Sequence, residues 1–173
     1  MVRMVTEMRH YYWEIDKRHS NRHVYISDEA DNRIGEVVLS NESGFDERNS
    51  YIFTYNDNDS YFLGLKKRRF KDMNVARYRM IFGGELFKLR EKKIHNIMNF
   101  RVDGIINDIP YVFKENTTGV VEMIKDNTII GRIADDEIVL NDNAERYETS
   151  ALILMYFMFK LYKREDIPFK KYL

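Results

Sequence analysis

The densest cluster of side chains able to do chemistry in this chain is cationic. Lys66-Lys67-Arg68-Arg69 run together, Lys71 follows, and Arg77 and Arg79 come shortly after. Clustered Lys and Arg hold phosphate groups of a lipid or nucleotide, each worth ~1 kcal/mol near an anionic membrane. Alternation along a strand decides whether they act together. If Leu63 and Leu65 point inward, Lys66 and Arg68 point outward; if Tyr78, Met80 and Phe82 point inward, so do Arg77 and Arg79 point outward. A hairpin through Asp72-Met73-Asn74 then sets Lys66, Arg68, Arg77 and Arg79 on one face, the candidate anion-binding set. The competing reading is a solvated charged strand that protects an exposed sheet edge. A second basic group, Lys88, Arg90, Lys92 and Lys93, is interleaved with Glu85 and Glu91. Its charge nearly cancels along the chain, which reads as a solvated face.

Other chemistry finds no support. His19 and His23 are four apart, but Ser20-Asn21 between them reads as a turn, and neither His10 nor His95 has an evident partner. No metal site is expected. Asp57-Asn58-Asp59 and Asp135-Asp136-Glu137 resemble calcium loops but lack the Gly at position six and the Glu at twelve of an EF-hand. Both read as hairpin turns, whose backbone angles Asp and Asn tolerate. Ser150 has no Gly-x-Ser-x-Gly elbow, Gly83-Gly84 opens no phosphate loop, and carboxylates such as Asp103 and Glu115 have no spacing that pairs them. The chain has no cysteine, so thiolate catalysis, disulfides and cysteine-based zinc sites are excluded. No cofactor and no catalytic residue is read.

The elements that must position the cations are strands. Tyr11, Trp13 and Ile15 share one face; Val24 and Ile26, then Tyr51, Phe53 and Tyr55, repeat the pattern. Tyr61 to Leu65, Tyr78 to Phe82, Phe87 to Leu89, Ile109 to Phe113, Val120 to Lys125, Thr128 to Ile133 and Glu137 to Leu140 continue it. About twelve strands at roughly ten-residue spacing predict an all-β sandwich or barrel. Asp31-Asn32-Arg33-Ile34-Gly35-Glu36-Val37 is echoed by Asp126-Asn127-Thr128-Ile129-Ile130-Gly131-Arg132-Ile133, and a strand Gly often marks a bulge.

After the strands comes Ala151-Leu-Ile-Leu-Met-Tyr-Phe-Met-Phe159, apolar on every side of a helix. Such a helix must be buried in a core or a membrane. Extended to Tyr162 the run is 12 residues, covering roughly 18 Å against the ~30 Å of a bilayer. A buried core helix is therefore expected, not a transmembrane one. Asp142 as N-cap with Glu145 at N3 predicts a start near Asn143, and with Pro168 blocking continuation the helix is expected to end near Arg164.

Composition sets outer bounds. The 173 residues fit one domain, 1–173, and 44% hydrophobic content with 11 Phe and 12 Tyr can fill a core. Lys+Arg and Asp+Glu are 28 each, a balance that argues against a nucleic-acid partner. Met1 to Ile15 carries Arg3, Glu7, Arg9 and Glu14 without an apolar stretch, so no secretory signal is read there. With no cysteine, a reduced cytoplasmic location is expected.

The strand series from Tyr11 to Leu140, the paired turn-strand-Gly units and the apolar terminal helix together resemble the tubby C-terminal superfamily, which includes tubby-like proteins, phospholipid scramblases and LURP-one-related proteins. The similarity is nearest to small bacterial LURP-one-related members. It implies an all-β fold with one helix: an antiparallel barrel of about twelve strands enclosing a hydrophobic C-terminal α-helix. It also implies lipid-headgroup binding through basic residues on neighbouring strands. The signature blocks of animal tubby proteins are missing, so no binding residue carries over one by one.

The expected function is a non-catalytic binding module that recognises anionic phospholipid headgroups, peripheral to the cytoplasmic face of a membrane. The alternative is a protein-interaction or scaffold domain with no small ligand. An enzyme whose site is assembled from distant strands is a third reading.

Overall fold

A computed structural model describes residues 7–15, 23–66, 76–92, 100–135 and 137–162. Twelve strands lie among them: β1 Met8–Ile15, β2 His23–Asp28, β3 Arg33–Leu39, β4 Phe45–Tyr55, β5 Ser60–Lys66, β6 Arg77–Phe82, β7 Glu85–Glu91, β8 Arg101–Ile106, β9 Ile109–Glu115, β10 Val121–Lys125, β11 Thr128–Ala134 and β12 Glu137–Asn141. One helix, α1, covers Arg146–Tyr162.

Each strand pairs antiparallel with its neighbours in sequence, and β1 pairs with β12, so the sheet closes on itself. Closure removes every edge that alternating strands would otherwise expose. The seam is in register from Met8 opposite Asn141 to Tyr12 opposite Glu137. Outside it, Arg9 Nε donates to the Asp142 carboxylate at 2.8 Å, and His10 Nδ1 pairs with Glu137.

Three hairpins turn on two residues with left-handed backbone: Gly83-Gly84, Asn107-Asp108 and Asp126-Asn127. Those angles match the right-handed twist of the flanking strands, and Gly, Asn and Asp adopt them most readily. The echoed segments follow turns of different length, four residues between β2 and β3 and two between β10 and β11, but carry the same irregularity. On β3 Ile34 is an extra residue between Arg33 and Gly35, which face Ser27 and Ile26; on β11 Ile130 is extra between Ile129 and Gly131, which face Ile124 and Met123. Both are bulges one residue before the glycine.

The helix fills the barrel. From Tyr147 to Phe159 every side chain is buried. Its contacts come from all around the wall: Trp13 on β1 packs on Tyr156, Tyr51 on β4 stacks on Phe157, Phe82 on β6 stacks on Tyr147, and Phe100 before β8 meets Phe159 edge-on. A wall on every side explains why the helix needs no polar face. The polar groups near its start are paired. Tyr111 and Tyr147 share a hydrogen bond of 2.6 Å, and Tyr55 OH donates to the Arg146 carbonyl.

The helix begins at Arg146, not near Asn143. Asp142 is not its N-cap, because its amide donates to the Glu7 carbonyl and its carboxylate holds Arg9. Asp142 belongs to the seam. Among the described residues no helix is long and apolar enough to cross a membrane.

Candidate anion-binding face

Strand alternation turns the predicted cations outward. On β5, Tyr61, Leu63 and Leu65 are buried and Lys66 is exposed; on β6, Tyr78 and Met80 are buried while Arg77 and Arg79 are half-exposed. Register sets Gly64 opposite Arg79 and Leu65 opposite Tyr78, so Arg77, Arg79 and Lys66 share one outer surface. Arg68, with Lys67, Arg69 and Lys71, lies outside the described residues. Because β5 and β6 each pair on both sides, neither is an edge, and edge protection cannot be the reason for their charge.

The second basic group joins the first. Arg77 faces Arg90 and Arg79 faces Lys88 across the β6–β7 pairing. The balance with glutamate seen along the chain does not hold on this surface. Glu91 is 7% exposed and turned into the barrel end, where its carboxylate accepts the Ala76 amide at 2.9 Å. Glu85 sits at the turn, opposite Phe82. Residues alternate faces in a strand, so neighbouring charges in sequence are separated by the thickness of the sheet.

One carboxylate lies among these cations on the outward positions of β5 to β8. Asp103 faces Arg90 in register and takes Arg101 at 2.8 Å and Lys92 at 2.9 Å. Partial burial pushes its carboxyl up, but the hydrogen bonds from Arg101 and Lys92 outweigh this and hold it below the usual range. On β9, Lys114 faces Arg101, which extends the positive surface by one strand. Arg79 donates to the Tyr78 carbonyl at 2.8 Å. Burial, then the nearby Arg77 charge, lowers its pKa. An anion would relieve that repulsion.

Beside Arg79 the surface is apolar. A Cβ on Gly64 would lie 2.5 Å from the Phe62 ring and 2.6 Å from the Phe45 ring. The two rings, 4.9 Å apart edge to face, occupy the space a side chain would take.

The remaining candidates have other duties. Asp57 and Asp59 both hold Arg146, at 2.7 and 3.4 Å, so this turn anchors the start of the helix. His23 pairs with Glu36 at 2.8 Å, and His10 has Glu137 as its partner. His19 and His95 lie outside the described residues. No group of three His, Asp or Glu suited to a metal occurs among the described residues. Ser150 is buried and donates to the Arg146 carbonyl at 2.7 Å. Asp103 and Glu115 lie on opposite faces of the wall, Glu115 inside and accepting the Phe100 amide.

Along the chain Lys88 and Arg90 look like a solvated face, and nothing in residue order singles out Arg101 or Lys114. The Gly83-Gly84 turn carried the signal. A two-residue hairpin there puts Arg79 opposite Lys88 by counting alone. No family model, no curated protein and no solved structure matches this chain.

Proposed function

We propose that this barrel is a non-catalytic module that binds anionic phospholipid headgroups through the outer face of β5 to β9, peripheral to the cytoplasmic surface of a membrane. The observation that carries the reading is the cation-on-cation register, Arg77 opposite Arg90 and Arg79 opposite Lys88. Folding gains nothing from setting like charges opposite one another, whereas a phosphate surface gains ~1 kcal/mol per cation. The resemblance to the tubby superfamily supports the same ligand class. The alternative, a protein-interaction or scaffold domain, draws on the aliphatic side chains exposed next to the cations.

Vesicle co-sedimentation tests the reading. The protein is expected to bind phosphatidylserine-containing vesicles at low salt, to bind less at moderate salt, and to ignore neutral vesicles. Lys66→Glu with Arg79→Glu is expected to abolish binding at an unchanged melting temperature. Absence of binding at low salt, or binding that survives the charge reversal, would move the protein-partner reading to first place.

A further inference from the structure

Above the basic rows the outer wall changes character. Ile52 faces Phe62, Phe62 faces Ile81 and Ile81 faces Leu86, so one apolar row crosses four strands, β4 to β7. On β8, Ile105 faces Pro110 and, one step beyond the Leu89–Gly104 pair, lies beside Lys88 and diagonally next to Leu86. Leu86 is 51% and Ile105 62% exposed, the latter the largest value for any large hydrophobic side chain described. The next outward residues toward the other end of the barrel are Arg79 and Lys88. Scattered exposed aliphatics need no explanation, but a continuous row bordered by cations does.

Resting on the headgroup reading above, we infer that this face lies side-on against the bilayer, with Leu86 and Ile105 entering the boundary between headgroups and acyl chains while Arg79 and Lys88 meet the phosphates. The row Ile52, Phe62, Ile81 and Leu86, with Ile105 at its corner beside Lys88, borders the cations as the acyl boundary borders the phosphate plane, and binding of such a face combines buried apolar area with charge attraction. Glu85 and Asp108 at the turns just beyond the apolar row make a tip-first approach to an anionic surface unfavourable, which selects the side-on orientation. A row that crosses four strands at ~4.8 Å spacing is broad and shallow, suited to a surface more than to a single side chain of a partner.

The chain has no cysteine, so Leu86→Cys, Ile105→Cys and, as a control on the far side of the barrel, Tyr12→Cys each carry one thiol for an environment-sensitive fluorophore. All three positions are exposed, so folding is not at risk. With phosphatidylserine vesicles the labels at 86 and 105 are expected to shift to the blue and to be quenched by acyl-chain nitroxides, with no change at 12. Leu86→Ser with Ile105→Ser is expected to weaken vesicle binding about tenfold and to leave its salt dependence intact. Bound protein whose labels at 86 and 105 stay aqueous overturns this inference and leaves headgroup binding standing. Failure of the unsubstituted protein to bind vesicles overturns both. A blue shift that appears without lipid as protein concentration rises assigns the face to a second copy of the chain and also overturns it.

Discussion

The Lys125 ammonium, at the end of β10, lies 2.9 Å from the carboxylate of Glu148, a residue of the first helical turn that is 1% exposed. The pair ties the barrel wall to the helix inside it. A carboxylate so placed also sits near the positive end of the helix dipole. Removing one partner leaves a charge buried without compensation, which costs ~3–5 kcal/mol when both partners are fully buried. Lys125 is partly exposed, so Lys125→Met is expected to cost about 3 kcal/mol in urea unfolding. Adding Glu148→Leu should recover much of the loss. Equal losses in the single and double variants would show that the ion pair is not what the site depends on.

The helix is the principal core element of the barrel. Phe157 is 1% exposed and stacks 4.8 Å from Tyr51, itself fully buried. Phe157→Ala is expected to cost ~3–5 kcal/mol by thermal or urea unfolding. Ending the chain at Asp142 removes every helical side chain and should abolish soluble folding. A soluble truncation with a cooperative melt would contradict a barrel that needs its helix.

At Gly131 the wall leaves no room for a side chain between itself and the helix. A Cβ there would lie 2.9 Å from the Val139 carbonyl oxygen and 3.0 Å from Leu152 on the helix. The first obstacle is backbone and cannot rotate away. Gly131→Val is expected to destabilise by ~1–3 kcal/mol through overpacking, read as a fall in urea midpoint with unchanged slope. An unchanged midpoint would mean that β11 can move outward freely.

Asp103 moderates the basic face. Its carboxyl is held below the usual range although burial opposes this, because Arg101 and Lys92 hydrogen-bond it. A carboxyl depressed in the folded state contributes stability above its unfolded pKa, and the contribution disappears as pH falls through the folded value. Asp103→Asn should therefore cost about 1 kcal/mol at neutral pH and nothing in strong acid. The same change removes the outward negative charge opposite Arg90, so anionic vesicle binding should tighten about fivefold. Weaker vesicle binding by this variant would place the lipid elsewhere.

Much of the architecture was legible in residue order, because strand and helix leave different periods in the chain. Leu63 and Leu65 against Lys66, and Tyr78 and Met80 against Arg77 and Arg79, assign inner and outer faces before any contact is known. The unbroken apolar stretch from Ala151 to Phe159 requires a buried helix, and a glycine inside a strand, Gly35, marks the bulge that β3 carries. Local pattern misled where a side chain had two possible partners. Asp142 has the residue type of a helix cap, yet Arg9, 133 residues earlier, takes its carboxylate.

Sequence by itself determined which side chains are apolar, the period at which they recur and hence the kinds of element. These are properties of neighbours along one chain. Only the tertiary structure decided that β1 closes on β12, that the helix runs inside the ring and not across an open sheet, and that Glu91 turns inward while Arg90 turns out to face Arg77. Register and closure depend on residues far apart in the chain meeting at a few ångströms, and periodicity carries no record of which distant strand supplies the partner.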